Sequence, residues 1–449
     1  PRNGTLLMKH APWFGARRLW LDATGSRPNI YMALRRNFTV TGKVGALTLR
    51  IAADSDFVVW LDGVEIGRGQ FSDDSAQPTW SDFAVAELTP GNHALAVLAY
   101  HKGISCAVYA PGDPGVVFAL FNDRFQLVSD AQCQVVEAPG FRSGPMPLLT
   151  PQLGFTAEFD ARRVGADWWQ AAFDDAAWRT PQSFDLTLEY RARPLAAVPR
   201  LQPFQPARLI HSGLLIRRHE GESTALTMVC DQVFRDRTPQ VGRLSRSEFV
   251  GDGWALIYDL GGETVGFVEF ALTAPTGTVV DFAHGEHLDD GRVRIECFGR
   301  NFADRYICRG GEESFQLPFR RIGARYLEFH IVTPEKTGEV ELHRVGVCPW
   351  VLPLPEAAAF DTPDEKLLTV RQLAIRTLEL CMHEHYEDCP WREQALYTYD
   401  SRNQMLYGYY LWGNWEFAAA SLRLFATVLR DDGHLRICAP GRLPLVIPI

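Results

Sequence analysis

The chain has 449 residues, 46% of them hydrophobic, and its 45 Lys and Arg against 54 Asp and Glu give a formal net charge of −9. At roughly 150 residues per domain, this length predicts about three domains. The chain is acidic and has no basic block, which argues against nucleic acid or an anionic membrane as a partner. No apolar run approaches the ~18 residues of a membrane span.

The cysteine pattern indicates the redox environment. There are nine Cys, an odd number, and no CxxC spacing occurs. This pattern favours reduced, mostly buried thiols over a disulfide framework. The first 30 residues contain no signal-peptide core, although the chain begins at Pro1 rather than Met. We therefore expect a cytoplasmic protein.

The first part of the chain reads as strands. Over residues 38–100, "FTVTG", "ALTLRIAA" and "FVVWLDGVEIGRG" are short and rich in β-branched and aromatic residues. Asp62-Gly63 between apolar runs predicts a tight hairpin turn. The Pro-rich stretch 193–209 resembles a linker. We therefore predict a β-sandwich domain over residues 1–205.

A second β-sandwich is predicted over residues 206–355, where strand-like runs alternate with Gly, Pro and Thr turns. At Pro363 the spacing of the apolar residues changes from that of strands to that of helices. Thr362-Pro363-Asp364-Glu365 predicts a capping box with Pro363 at the first helical position, and apolar residues continue at helical spacing to Leu378. Further helices are predicted at about 401–412 and 415–433, so the third domain, residues 356–449, is helical.

The stretch "HYEDCPWREQALYTYDSRNQ", residues 385–404, joins two of these helices. It holds the carboxylates Asp388, Glu393 and Asp400 among aromatic residues that include Trp391 and Tyr397. One interpretation is a solvated acidic loop with some buried rings. The other is a glycosidase site, because glycoside hydrolysis needs a carboxylic acid, a carboxylate base and groups that hold sugar hydroxyls.

This stretch resembles the signature of the bacterial α-L-rhamnosidases of glycoside hydrolase family 78. The usual pattern there is Asp-Cys-Pro-x-Arg-x-Glu followed by Gly-Trp-x-Gly-Asp. This chain has the shorter Asp388-Cys389-Pro390-Trp391-Arg392-Glu393, then Tyr397-Thr398-Tyr399-Asp400. The resemblance implies that Glu393 is the general acid and that Asp388, Arg392 and Asp400 hold the rhamnose. Tyr397 would replace the stacking Trp, and Trp391 is a further candidate for substrate binding.

The resemblance extends over most of the chain. Residues 258–291 resemble the β-domain before the family's catalytic domain, and residues 53–69 resemble its N-terminal, carbohydrate-binding-like sandwich. The implied fold is multidomain: two β-sandwiches followed by the first helices of an (α/α)6 barrel. About twelve helices are implied, and residues 361–449 provide length for only about four to five. We therefore expect a barrel truncated within this sequence.

The implied general base is a Glu well downstream of the signature. The only Glu after Glu393 is Glu416, which falls inside an ordinary helical run. The sequence is therefore expected to contain the acid half of the site without its base.

Two other clusters could be interpreted as metal sites: His383-Glu384-His385 with Cys389, and His284-Gly285-Glu286-His287. Neither has the helical i,i+4 His pair or the paired Cys spacing of a zinc site. "GGETVG" at Gly261 lacks the Lys-Ser/Thr ending of a phosphate loop. We expect no metal and no cofactor.

The resemblance thus predicts an inverting glycosidase that removes terminal, non-reducing α-L-rhamnose from rhamnosides or oligosaccharides. Two alternatives remain open: a non-catalytic sugar-binding β-sandwich protein, and a related barrel hydrolase that acts on another terminal sugar. A homodimer is one assembly that the sequence leaves open.

Overall fold

A computed structural model of the chain describes residues 13–22, 27–195, 198–236, 242–244, 251–335, 338–430 and 432–443. The strands of three or more residues are β1 (Arg18–Trp20), β2 (Ile30–Val40), β3 (Leu47–Asp54), β4 (Asp56–Leu61), β5 (Val64–Gly69), β6 (Thr79–Val85), β7 (Gly91–His101), β8 (Gly115–Phe121), β9 (Gln126–Val128), β10 (Gln134–Glu137), β11 (Leu148–Thr150), β12 (Glu158–Asp160), β13 (Gln182–Phe184), β14 (Arg208–Ile216), β15 (Gln232–Arg235), β16 (Gly253–Ala274), β17 (Val279–Gly285), β18 (Ala303–Ile307), β19 (Gly311–Gln316), β20 (Ile322–Val332) and β21 (Val340–Val351). The helices are α1 (Thr224–Cys230), α2 (Glu365–Leu380), α3 (Thr398–Trp412) and α4 (Trp415–Thr427).

The chain is mostly β-sheet with few helices, as predicted, and it divides into two compact units. The first comprises Pro1–Gly103, Ala110–Pro139 and Ala166–Pro194, and the second comprises Ile104–Tyr109, Gly140–Gly165 and Leu195–Ile449. The three-domain division at residues 205 and 355 stays a prediction. All nine cysteines are free and most are buried, as the sequence predicted.

Two antiparallel sheets form the first unit. One has the order β13–β1–β8–β3–β6 with β9 on β8, and the other has the order β10–β2–β7–β4–β5. Alternate residues of β3 and β4 enter one shared core: Leu47, Leu49, Ile51, Phe57, Val59 and Leu61. This spacing of two is the side-chain period of a strand.

The hairpin between β4 and β5 confirms the predicted turn. Asp62 has φ 52° and Gly63 has φ 85°. Positive φ at both central residues is what a tight two-residue hairpin loop requires, and Asp-Gly adopts it at low cost.

The second unit is organised by the 22-residue strand β16. Its first half, Gly253–Asp259, pairs with β14 and β20, and its second half pairs with β19 and β21. The register with β20 shifts between Asp259 and Thr264, around Gly261 at φ 84°. The start of β20, at Gly323, approaches the backbone of Pro390 in the segment between α2 and α3.

The predicted helices are present, with two corrections at their ends. Helix α2 begins at Glu365, and the Asp364 carboxylate caps it by accepting from the N–H of Lys366 at 2.9 Å. The predicted capping box at Thr362, with Pro363 inside the helix, was wrong, because Asp caps as well as Thr and Asp364 lies closer to the apolar run. Helix α4 ends at Thr427, before the predicted stop at Gly433, and Val428 is buried beyond it.

The helices α2, α3 and α4 bury part of their apolar surface in a shared core and expose the rest. Leu378, Met405, Phe417 and Phe425 belong to that core. Several apolar side chains on other faces are exposed: Leu367 (49%), Val370 (62%), Leu373 (64%), Tyr410 (83%) and Trp415 (64%). In the described part of the chain, no helix combines the length and apolar character needed to cross a membrane.

Candidate active site

The segment between α2 and α3 is held by a buried ion cluster around Arg321, just before β20. The Arg321 guanidinium donates to Glu387 at 2.6 and 3.1 Å and to Glu384 at 3.2 Å. His383 lies 3.0 Å from the same Glu387 carboxylate. Burial alone would raise the pKa of Glu387, but Arg321 and His383 outweigh it and hold the pKa at about 2. Glu387 is therefore a permanent anion that orients the segment.

Trp391 anchors the signature loop, defined here as residues 388–397. Its side chain is 4% exposed and lies in a cluster with Leu149, Leu153, Cys297 and Phe302. The Trp391 and Phe302 ring centroids are 4.6 Å apart. These contacts show a positioning role for Trp391, and its predicted part in substrate binding stays a prediction.

A close backbone approach fixes the same loop on β20. A methyl group added at Gly323 would overlap the carbonyl oxygen of Pro390. The side-chain amide of Gln394 also donates to that oxygen at 2.8 Å and to the carbonyl oxygen of Arg321 at 3.2 Å. The loop thus rests through Pro390 on the start of β20, an internal strand of the sheet, and only glycine fits beneath it.

Glu393 and Tyr397 are hydrogen-bonded within the loop. The Tyr397 hydroxyl donates to Oε2 of Glu393 at 2.7 Å. Burial, and then the neighbouring Glu393 carboxylate, raise the pKa of Tyr397 well above its ordinary value, so the hydroxyl stays a neutral donor. The predicted acid therefore has one carboxyl oxygen engaged by the protein.

Asp388 lies close enough to Glu393 for their charges to interact. Burial raises the pKa of Asp388 to about 6, and the Glu393 carboxylate adds to the rise. Its Oδ1 accepts from the N–H of Ala395 at 2.8 Å, and its own N–H donates to the carbonyl oxygen of Ala395 at 2.9 Å. The fold thus brings Asp388 and Glu393, two of the predicted site carboxylates, near each other within the signature loop.

Asp400 and Arg392 are the other two residues that the resemblance assigns to rhamnose binding. Asp400 is exposed in the first turn of α3, and no ion pair among the described residues joins it to another side chain. In the described part of the chain, no ion pair joins Arg392 to Asp388 or to Asp400. Its positive charge instead acts on Glu286, which follows β17.

Glu286 belongs to one of the two motifs weighed as metal sites, and Glu263 lies in "GGETVG". Burial raises the pKa of Glu263 to about 8, and Glu286 adds to the rise. The pKa of Glu286 is also raised by burial, against the pull of Arg392. The side chain of the adjacent His287 packs edge-on against Trp391 at 5.9 Å. The β-domain thus brings Glu286 near the charge of Arg392 in the signature loop, and Glu263 near Glu286.

Sequence reasoning missed Arg321 and the nearness of Glu286 to the charge of Arg392. Arg321 lies 66 residues from Glu387, and no local period links them. The sequence motif His284-Gly285-Glu286-His287 was considered only as a metal site. In the structure, the positive charge of Arg392 acts on the Glu286 carboxylate. His284 is fully buried, and burial lowers its pKa well below the ordinary value, so the ring is neutral.

The sequence of the second unit matches a known family model. Residues 251–348 match the bacterial alpha-L-rhamnosidase concanavalin-like domain. An alpha-L-rhamnosidase of Streptomyces avermitilis is 24% identical over 314 residues, which cover 66% of this chain and 26% of that protein. An alpha-L-rhamnosidase of Formosa agariphila is 20% identical over 286 residues, which cover 62% of this chain and 26% of that protein.

Solved structures show the same fold. The GH78 family rhamnosidase of Bacillus sp. GL1 superposes with a TM-score of 0.80 at 20% identity, covering 95% of this chain and 64% of that one. The Streptomyces avermitilis alpha-L-rhamnosidase complexed with L-rhamnose gives 0.67 at 20% identity, covering 92% of this chain and 38% of that one.

Residues 251–348 therefore form a domain of the kind found in bacterial alpha-L-rhamnosidases, on a mostly β chain whose fold is that of GH78 rhamnosidase structures. The predicted resemblance is confirmed as a resemblance: the chain is similar to bacterial α-L-rhamnosidases in the sequence of this domain and to GH78 rhamnosidase structures in fold. It spans about a quarter of the length of the two curated relatives.

Proposed function

We propose that this chain provides the acid side of an active site that removes terminal, non-reducing α-L-rhamnose from rhamnosides. The observation that carries the proposal is the Tyr397–Glu393 hydrogen bond of 2.7 Å beside Asp388. It lies in the loop whose sequence resembles the family 78 signature. A solvated acidic loop would not bury Trp391 or hold two interacting carboxylates.

In the proposed reaction, Glu393 donates a proton to the glycosidic oxygen as the bond from that oxygen to the anomeric carbon breaks. The aglycone leaves as a neutral alcohol. Water adds to the anomeric carbon from the opposite face and gives its proton to a general base. Asp388, Asp400 and Arg392 hold the sugar hydroxyls, while Trp391 and Tyr397 border the site.

The proposed stereochemistry is inversion. Inverting enzymes keep their two carboxyl groups ~6.5–9.5 Å apart, which leaves room for the attacking water. The proposed acid comes from a loop braced by the β-domain, and a base from a distant part of a helical barrel suits such a separation. NMR of the first-formed sugar tests this, and a product with retained anomeric configuration would contradict it.

The architecture belongs to the same proposal. Two β-sandwiches, the first carbohydrate-binding-like, precede the first helices of an (α/α)6 barrel. The exposed apolar faces of α2, α3 and α4 support this, since further barrel helices would cover them. The proposed setting is cytoplasmic, in keeping with nine free cysteines.

The test is a panel of aryl glycosides offered to the full-length gene product. Hydrolysis of the aryl α-L-rhamnoside, with other terminal sugars cleaved at least a hundredfold more slowly, supports the proposal. Preferential cleavage of another glycoside would favour a related hydrolase. Rhamnose binding by calorimetry without any hydrolysis would favour the sugar-binding alternative.

A further inference from the structure

Two neighbouring hairpins of the second unit have the same turn geometry but different residues in the turn. Each has a two-residue loop, Asp290-Gly291 in the first and Phe298-Gly299 in the second. The φ angles are 49° and 73° in the first loop and 53° and 78° in the second. Positive φ at both positions favours Asp-Gly or Asn-Gly, and a bulky side chain at the first position is disfavoured. Phe298 therefore occupies its turn against the local preference of the backbone.

The ring of Phe298 lies almost entirely in solvent. Phe298 is 87% exposed, more than any other large hydrophobic residue in the described part of the chain. A single exposed apolar residue is ordinary. Here, however, neither the packing of the unit nor the geometry of the turn accounts for a phenyl ring, and this combination indicates a binding role.

The hairpin that carries Phe298 is anchored to the core beneath the signature loop. Cys297, directly before the turn, is buried in one cluster with Trp391. Phe302, directly after the hairpin, is buried in the same cluster, and its ring centroid lies 4.6 Å from that of Trp391. Trp391 is two residues before Glu393 in the sequence. The exposed ring is thus mounted on the same cluster that holds the loop of the proposed acid.

Polar contacts fix the orientation of this hairpin. The side-chain amide of Asn301 donates to the carbonyl oxygen of Leu148 at 2.8 Å and accepts from the hydroxyl of Ser223 at 2.7 Å. The N–H of Gly299 donates to the carboxylate of Glu296 at 2.6 Å across the turn. A ring held on a braced hairpin loses little conformational freedom when a ligand packs on it, which favours binding.

We propose that Phe298 is a substrate-binding residue that stacks on a flat ring in the leaving group of the glycoside. The inference rests on the proposed function and deepens it, because it names the class of leaving group. Glu393 must reach the glycosidic oxygen, which departs with the leaving group, so a ring mounted beside its loop meets that part of the substrate. An aryl ring and the C–H face of a pyranose share the flat apolar face that packs on a phenyl ring.

The test variant removes the ring and improves the turn. Phe298→Asn gives the hairpin the preferred Asn-Gly loop, so the fold should be kept. In the full-length gene product, we expect KM for 4-nitrophenyl α-L-rhamnoside to rise about threefold to tenfold, which is the range that stacking of two rings accounts for. The kcat should stay unchanged, because the lost contact binds substrate and transition state alike. KM for an alkyl α-L-rhamnoside, whose leaving group has no ring, should also stay unchanged.

Matched variants and a third substrate sharpen the comparison. Phe298→Tyr keeps the ring and should keep the wild-type KM for the aryl substrate. Asp290→Asn alters the same position of the neighbouring hairpin without removing a ring, and should leave all kinetic constants unchanged. A rhamnosyl glucoside, whose second ring is a pyranose, distinguishes the two sources of a flat ring. A rise in KM for the aryl substrate alone assigns an aromatic leaving group, and a rise for the disaccharide assigns a sugar.

Three outcomes would overturn the inference and leave the proposed function standing. They are equal rises in KM on the aryl and alkyl substrates, unchanged KM on both ring-bearing substrates, and a lower melting temperature of Phe298→Asn with unchanged kinetics. The last would mean that protein, and not substrate, covers the ring. If the wild-type protein releases no rhamnose from any of the three substrates, the proposed function itself fails and the role of Phe298 falls with it.

Discussion

Arg321 and Glu387 form a fully buried ion pair, in which the two guanidinium nitrogens reach the two carboxylate oxygens at 2.6 and 3.1 Å. Arg321 directly precedes the strand β20, and Glu387 lies in the segment before the signature loop. The pair therefore joins the sheet to the loop that carries Glu393. Two parallel bonds also fix the orientation of both groups, which a single contact would not.

Removing one partner of this pair should be costly. Glu387→Gln leaves the Arg321 guanidinium buried with half its charge compensation lost, and we expect the free energy of unfolding to fall by about 3–5 kcal/mol. Denaturant unfolding of the purified protein measures it. The matched control is Arg325→Met on the same strand, whose half-exposed pairing with Asp259 should contribute about 0–1 kcal/mol. Similar losses in the two variants would contradict the argument.

His330 should make stability depend on pH on the alkaline side. The ring is buried between Asp231 at 2.7 Å and Glu328 at 2.9 Å. Burial favours the neutral ring, but the two carboxylates outweigh it and raise the pKa above the ordinary 6.5. A raised pKa means that the stabilisation is fully present below pH 6.5 and is lost as the pH rises through the folded-state value.

At acidic pH, the carboxylates of the same cluster make the stability fall as the pH decreases. His330 and its arginine neighbours lower the pKa values of Asp231 and Glu328 against burial, so their contribution is present above their ordinary values and lost as the pH falls. His330→Gln should therefore lower stability at pH 6 and flatten its fall between pH 6.5 and 9. Unfolding curves across this range test it, with the exposed His343→Gln as the control. An unchanged alkaline slope would exclude His330 as its origin.

Gly323→Ala should displace the signature loop. The added methyl group overlaps the carbonyl oxygen of Pro390, which is backbone and cannot rotate away. We expect a loss of about 1–3 kcal/mol in unfolding free energy and faster amide hydrogen exchange over residues 388–397. Gly165→Ala is the control, because a methyl group there meets no atom within 4 Å. Unchanged exchange in the loop would show that the contact is easily accommodated.

The sequence predicted what is encoded locally. The Asp62-Gly63 turn, the three helices and the break around Pro390 follow from neighbours in the chain. The resemblance to family 78 also located the loop. The sequence could not predict that Arg321 pairs with Glu387, because these partners are brought together only by the packing of the sheet. The same holds for Arg392, whose nearest carboxylate in sequence is not the one its charge acts on.

Glu393→Gln is the most direct test of the proposed acid. The amide keeps the shape of the side chain and can still accept from Tyr397, so the fold and rhamnose binding should persist. It carries no transferable proton, and turnover of substrates with poor leaving groups should fall by ~10²–10⁴. An aryl rhamnoside with a very acidic phenol needs little protonation, so its rate should fall far less. Kinetics of the full-length gene product on both substrates, with rhamnose binding by calorimetry as the control, give the comparison. Equal losses would mean that Glu393 is not the acid, and Asp388, with its pKa raised to about 6, would become the better candidate.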